Sequence, residues 1–158
     1  MRLAGTVSAV VALLLAGALH RAPAHSAEGQ GKLAIVGDTI PQSLTGKPGD
    51  AARGREISFS RDRGNCPVCH MLPAPDERLH GNVGPSLVGV AGRLSEGQLR
   101  LRLVDGRRLN PASLMPSYYR QDGLKRVAAA YAGKTVLTAE EIEDVLAYLM
   151  TLRPDEKR

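Results

Sequence analysis

Residues 65–70 read Asn-Cys-Pro-Val-Cys-His, and the fold prediction starts from this stretch. Two cysteines separated by two residues and followed at once by a histidine form the C-x-x-C-H signature of haem attachment. The spacing has a geometric reason, because each thiol must reach one vinyl group of a porphyrin while the histidine lies beneath the iron. The stretch predicts one c-type haem, with thioether bonds to Cys66 and Cys69 and with His70 as an iron ligand.

Two other uses of a cysteine pair fit the chain less well. A structural zinc site needs four ligands, and beyond residues 66–70 the core of the chain offers only His80. A thioredoxin-like dithiol needs a βαβ setting, and no convincing alternating strand pattern is present. Both cysteines of the chain are therefore assigned to haem.

The opposite face of the iron needs a ligand of its own. The candidates are Met71, His80, Met115 and Met150. Met71 directly follows the proximal histidine and is held on its side of the haem, while Met150 belongs to a periodic terminal helix. Met115 precedes Pro116, which keeps it out of a helix and stiffens its loop. We expect Met115 to be the second ligand, with His80 as the rival and a buried structural methionine as the alternative role for Met115.

A histidine and a methionine on one iron have a functional consequence. The thioether raises the reduction potential and leaves the iron no open position, so electron transfer is favoured over peroxide or oxygen chemistry. A haem sensor or peroxidase with an open iron is the competing prediction.

Three further residues are predicted to form the haem environment: Gly84, Pro85 and Tyr118. A proline carbonyl at this point of the chain would accept a hydrogen bond from the proximal imidazole and orient its ring. An ordinary turn at Gly84-Pro85 is the alternative. For Tyr118 and Tyr119 the sequence leaves three roles open, which are a hydrogen bond to a haem propionate, a partner surface, and packing around the Met115 loop.

The N-terminus has the pattern of a secretory signal peptide. Arg2 precedes an apolar run over residues 7–19, and Ala22-Pro23-Ala24 supplies small residues for cleavage. The apolar run is shorter than the roughly 20 residues of a spanning helix. We expect cleavage after Ala24, or as late as Ala27, with no membrane anchor and a periplasmic location; an uncleaved anchor is the alternative.

Composition and charge limit the other possibilities. The 158 residues suit one globular domain, and a single phenylalanine with no tryptophan leaves space for a bound apolar group. Basic and acidic residues are interleaved without an aromatic platform, which argues against nucleic-acid binding despite the net charge of +5. One cluster is predicted to be either a docking patch or a solvated helix face, and its members are Arg100, Arg102, Arg107 and Arg108.

Periodicity and capping signals predict an all-α fold with four helices. The clearest helix is capped by Thr138, with Glu141 completing the capping box, and ends before Pro154. The others are predicted over 51–60 after the N-cap Asp50, from Ser95 to about 105, and over 124–131.

Four segments follow from these signals. They are a signal peptide over 1–24, an extended arm over 28–49, a cytochrome domain over 50–153 and a tail over 154–158. For the arm, the sequence leaves open a disordered linker and a strap that buries its few apolar side chains.

The ordered set of motifs resembles class I cytochromes c. The residues that carry the resemblance are Cys66-Pro67-Val68-Cys69-His70, Gly84-Pro85-Ser86-Leu87, Met115-Pro116 and the capped terminal helix. The resemblance covers about 50–153 and implies a helical domain around one covalently attached haem. It also implies that the first and last helices cross at a small residue, with Gly54 against Tyr148 or Leu149.

A narrower set of residues resembles the SoxX family, the monohaem subunits of the SoxAX cytochromes of periplasmic sulfur oxidation. The stretch from Asn110-Pro111 to Met115-Pro116-Ser117-Tyr118-Tyr119 points most strongly beyond generic cytochromes. The remaining matches are Gly37-Asp38, Ile40-Pro41, Pro48-Gly49-Asp50, Gly54-Arg55, Gly64-Asn65-Cys66, Gly81-Asn82-Val83-Gly84-Pro85, Leu99-Arg100 and Val104-Asp105.

This resemblance implies a partner and a reaction. The partner is a SoxA-like subunit with one or two haems, at whose cysteine-ligated haem thiosulfate is joined to a cysteine of the SoxYZ carrier. The chain would pass the released electrons to a downstream acceptor, as a subunit of an L-cysteine S-thiosulfotransferase without a substrate site of its own. The absence of a third cysteine agrees with sulfur chemistry on the partner. The alternative is a free periplasmic cytochrome that shuttles electrons between respiratory complexes.

Overall fold

The protein is described from a computed structural model that covers residues 33–73 and 80–154. Three α-helices span Ala51–Phe59 (α1), Glu96–Asp105 (α2) and Ala139–Thr151 (α3). Short 3-10 turns lie at Cys66–Val68, Val90–Gly92, Gly106–Arg108 and Ala129–Tyr131. In this part of the chain the only extended pairing is one isolated bridge between Val36 and Thr39. The all-α prediction is confirmed, whereas the predicted signal peptide over 1–24 and the tail after Pro154 lie outside the described residues.

The three helices begin where the capping signals place them. The carboxylate of Asp50 accepts hydrogen bonds from the N–H groups of Ala52 and Arg53. Capping boxes open α2 and α3, formed by Ser95 with Gln98 and by Thr138 with Glu141. These side chains satisfy N–H groups that have no partner within the helix, which is why they mark its start.

The helix predicted over 124–131 is wrong. Only Ala129–Tyr131 forms a single 3-10 turn, and every residue over 121–134 is exposed. Alanine-rich sequence favours helix, but a short helix without a buried face is marginal in water. Arg126 also has a φ of +59°, which lies outside the helical region.

The first and last helices cross at glycine, one helical turn away from the predicted contact. A Cβ atom added to Gly54 would lie 1.8 Å from the carbonyl oxygen of Asp144. Gly54 therefore lies closest to the backbone of Asp144, one helical turn before Tyr148. The ring of Tyr148 instead lies edge-on against Phe59, with centroids 6.5 Å apart.

One arginine of the predicted surface cluster is a core residue. Arg100 is 2% exposed and its guanidinium forms two hydrogen bonds with the carboxylate of Glu143, at 2.9 and 3.0 Å. It also donates to the carbonyl of Ile40 at 2.9 Å. Both interpretations of Arg100, docking patch and solvated face, are wrong because it is buried against α3 and the arm, with Glu96 of its own helix as a further partner.

Residues 33–49 lie along the helical domain as a strap. Ile40 is 1% exposed and its N–H donates to the carbonyl of Gly97 at 3.0 Å. The N–H of Leu44 donates to Glu143 at 2.8 Å. Backbone groups of the strap therefore find partners on α2 and α3.

None of the helices over 33–73 and 80–154 is long and apolar enough to cross a membrane.

Candidate haem-binding site

An apolar cavity of about 1000 Å³ lies between the cysteine stretch, α2 and the end of α3. Its walls include every residue that the sequence placed at the site, which are Cys66, Cys69, His70, Gly84, Pro85, Met115 and Tyr118. The rival iron ligands Met71, His80 and Met150 do not line it. His80 accepts a long hydrogen bond, at 3.4 Å, from the N–H of Leu72.

The turn at Gly84-Pro85 orients the imidazole of His70. The Nδ1 atom of His70 lies 2.7 Å from the carbonyl oxygen of Pro85, and a carbonyl only accepts, so Nδ1 carries the proton. Nε2 is then left with its lone pair for a metal. A Cβ atom added to Gly84 would lie 2.3 Å from Cε1 of the ring. This turn is more than a chain reversal, because Pro85 accepts a bond from the imidazole and Gly84 leaves the ring the space that a side chain would fill.

The cysteine stretch forms a tight turn that is fastened to its neighbours. The N–H of His70 donates to the carbonyl of Cys66 at 2.9 Å, which closes the turn over the Cys66–Val68 segment. The N–H of Gly84 donates to the carbonyl of Cys69 at 2.8 Å. These bonds hold both sulfurs and the imidazole on the same wall of the cavity.

The surroundings of Cys66 favour an uncharged sulfur. Burial raises the pKa of the Cys66 thiol to about 11, although a hydrogen bond with Ser58 acts in the opposite direction. Zinc binding requires a thiolate, whereas a thioether carries no charge. The described ranges also gather no group of three or more His, Cys, Asp and Glu side chains that would hold a metal ion. An uncharged thioether to a porphyrin fits these surroundings.

The loop that carries Met115 forms another wall of the cavity. Met115 is half-buried, and its N–H donates to the hydroxyl of Ser113 at 3.2 Å. Tyr118 is buried, and its hydroxyl donates to the carbonyl of Gly64 at 2.7 Å. Of the three roles left open for Tyr118, the contacts agree with packing around the Met115 loop, since this hydroxyl is bonded inside the protein.

Four arginines and no acidic residue are found among the described residues that line the cavity. They are Arg61, Arg63, Arg93 and Arg102. Arg93 and Arg102 donate to backbone carbonyls, while Arg63 pairs with Glu141. Apolar walls with cations suit a flat apolar ring that carries carboxylates, as a haem does. Sequence reasoning grouped Arg102 with Arg100, Arg107 and Arg108 instead, because Arg61, Arg63 and Arg93 come from other segments of the chain.

No family model and no curated protein matches the chain. A search of solved structures matches a chain of the crystal structure of SoxXA from P. pantotrophus, with a TM-score of 0.70 and 34% sequence identity. The alignment covers 77% of this chain and 94% of that chain.

The chain belongs to the SoxX family. An identity of 34% over nearly all of the matched chain shows more than a common helical fold. The expectation of a class I cytochrome c-like fold is confirmed, and so is the resemblance to SoxX. At the coarser level of function, this membership supports a SoxX-like electron-transfer cytochrome.

Proposed function

We propose that this chain binds one haem c and transfers electrons as the SoxX subunit of a SoxAX-type complex. Cys66 and Cys69 form the thioethers, and His70 and Met115 are the axial iron ligands. The observation that carries this proposal is the shared cavity, where both cysteines, a pre-oriented imidazole and one methionine meet on apolar walls.

A haem held there supplies a one-electron redox centre. The residues around it would perform the supporting tasks. Pro85 keeps the proton of the imidazole on Nδ1 and turns Nε2 toward the metal. Leucine and valine side chains would exclude water from a bound ring, and the positive charge of the lining arginines would favour its carboxylates. Ligation by a thioether raises the potential and closes the iron to small ligands.

The partner and the pathway belong to the same proposal. The matched structure is titled SoxXA, and we infer that a SoxA-like subunit is the partner of this chain in the periplasm. Coupling a sulfur of thiosulfate to a cysteine thiol of SoxYZ releases two electrons. One haem holds one electron, so this chain relays them singly from the partner to a downstream acceptor.

The cofactor is tested on the purified protein after export with intact maturation machinery. We expect an added mass of one haem, a Soret band, and no carbon monoxide binding by the ferrous protein at neutral pH. The C66S/C69S double variant is expected to lose the covalent mass. A parent protein that weighs only its amino acids would exclude the haem, and binding of carbon monoxide would favour an open-iron sensor or peroxidase.

The complex is tested by affinity purification of the tagged chain from its native periplasm, followed by haem staining. Recovery of a second haem protein in a fixed ratio is expected. Recovery of the chain alone, with its haem, would contradict the subunit assignment and support the free electron carrier.

A further inference from the structure

Two side-chain hydrogen bonds fasten the loop immediately after Met115. Ser117 donates to the carboxylate of Asp105 at 2.5 Å, and Asp105 is itself buried at the end of α2. Tyr118, 6% exposed, donates to the carbonyl of Gly64 at 2.7 Å. These bonds lie two and three residues beyond the methionine, close enough to restrict where its sulfur can reach.

The bond from Tyr118 joins the two segments that carry the iron ligands. Gly64 directly precedes the stretch that contains Cys66 and His70, so the hydroxyl spans from the methionine loop to the haem-attachment stretch. The backbone of Gly64 is itself anchored, because its N–H donates to the carbonyl of Ile57 at 3.1 Å. The backbone N–H of Tyr118 is also bonded, to the carbonyl of Leu103 at 3.1 Å.

We propose that Tyr118 is a positioning residue that sets the strength of the bond between Met115 and the iron, with the Ser117–Asp105 bond as a second anchor. This inference rests on the proposed ligation by His70 and Met115. A neutral thioether is a weak ligand, and its hold depends on a loop ordered before the bond forms. Without the two anchoring hydrogen bonds, the loop loses conformational entropy when Met115 binds the iron. This entropy cost weakens the methionine bond, and added ligands then compete better for the iron.

The test uses the haem-loaded Y118F variant, which keeps the ring and removes one hydrogen bond. We expect added imidazole to bind the ferric protein about tenfold more tightly, the factor that corresponds to one buried hydrogen bond. The long-wavelength absorption band of methionine-ligated ferric haem is expected to disappear at a lower temperature than in the parent. Haem content, measured by mass, is expected to stay the same.

The matched control is Y131F, because Tyr131 is 69% exposed and does not line the cavity. Its imidazole affinity and absorption band are expected to equal those of the parent. S117A tests the second anchor and decides the question if Y118F does not fold. A rise in imidazole affinity of several-fold supports the proposal, and an unchanged affinity overturns it.

The outcomes separate this inference from the function on which it rests. If the parent shows the methionine band but Y118F and S117A match the parent, the positioning role is wrong and the ligation stands. If the parent lacks the band and already binds imidazole tightly, Met115 is not a ligand, and both proposals are overturned.

Discussion

Glycine 84 illustrates how a missing side chain supports the site. The space that a methyl group would take is filled by the imidazole of His70, whose edge is bonded to Pro85. Support of this kind around a metal-binding histidine fixes the ring orientation and adds to the strength of the metal bond. Gly84 therefore supports the site because it has no side chain, and not because glycine can adopt unusual backbone conformations.

Replacing Gly84 by alanine is expected to weaken the hold of His70 on iron by about 10- to 100-fold, because the ring must turn away from its carbonyl partner. The expected result is a partial change of the ferric haem from low-spin to high-spin, measured by visible and electron paramagnetic resonance spectroscopy. V88A is the control, since Val88 is 47% exposed and does not line the cavity. A fully low-spin G84A protein would contradict the role.

Asp144 links pH to stability. Burial raises the pKa of its carboxyl, but hydrogen bonds from Arg53 and from the N–H of Asp50 outweigh burial and lower it below the usual value. A depressed folded-state pKa stabilises the protein above the unfolded pKa of about 3.9, and this stabilisation disappears as pH falls through the folded value.

The D144N variant is expected to be less stable than the parent at pH 7, by about 1–3 kcal/mol for the loss of charged hydrogen bonds. The gap in stability should narrow as the pH falls from about 4, the unfolded pKa, through the lower folded pKa of Asp144. Urea unfolding at a series of pH values measures the free energy of unfolding of both proteins. A difference between them that stays constant as the pH falls would show that the charge of the Asp144 carboxylate contributes nothing to stability.

The crossing of α1 and α3 depends on close backbone contact. Both helices begin at local capping signals, which is why the sequence predicts their ends well. Their angle and separation depend instead on Gly54 and Gly49, which lie against the carbonyls of Asp144 and Glu143. The sequence predicted a crossing at Gly54 but gave no sign of the contact at Gly49.

Replacing Gly54 by alanine tests whether packing or helix propensity dominates. Propensity alone predicts that G54A stabilises an exposed helix by about 1 kcal/mol. The added Cβ would overlap the backbone of α3, and overpacking of this kind costs about 1–3 kcal/mol. We therefore expect a lower midpoint of thermal unfolding, and an increase would disprove the close crossing.

Across the described domain, one buried ion pair ties together three distant segments. Arg100 of α2 bonds Glu143 of α3, and both also bond backbone groups of the strap at Ile40 and Leu44. Both side chains are almost completely buried, so neither charge can turn to water if the other is removed. The pair therefore keeps the strap against the helices.

The R100M variant leaves the carboxylate of Glu143 buried without its cation, and removal of one partner of such a pair costs about 3–5 kcal/mol. We expect that loss in urea unfolding, together with faster hydrogen exchange at the N–H of Ile40. R107M is the control, because Arg107 is exposed and a surface change of this kind stays within about 0.5 kcal/mol. Unchanged exchange at Ile40 would show that the pair does not hold the strap.

What the amino-acid order alone establishes is local. The C-x-x-C-H stretch that predicts haem attachment, the proline after Met115 and the caps of α1, α2 and α3 depend on residues within four positions of each other. The folded chain settles what depends on distant contacts: Arg100 meets Glu143 across 43 positions, and Tyr118 meets Gly64 across 54. The helix predicted over 124–131 failed for the same reason, since propensity is local while the burial that stabilises a short helix is not.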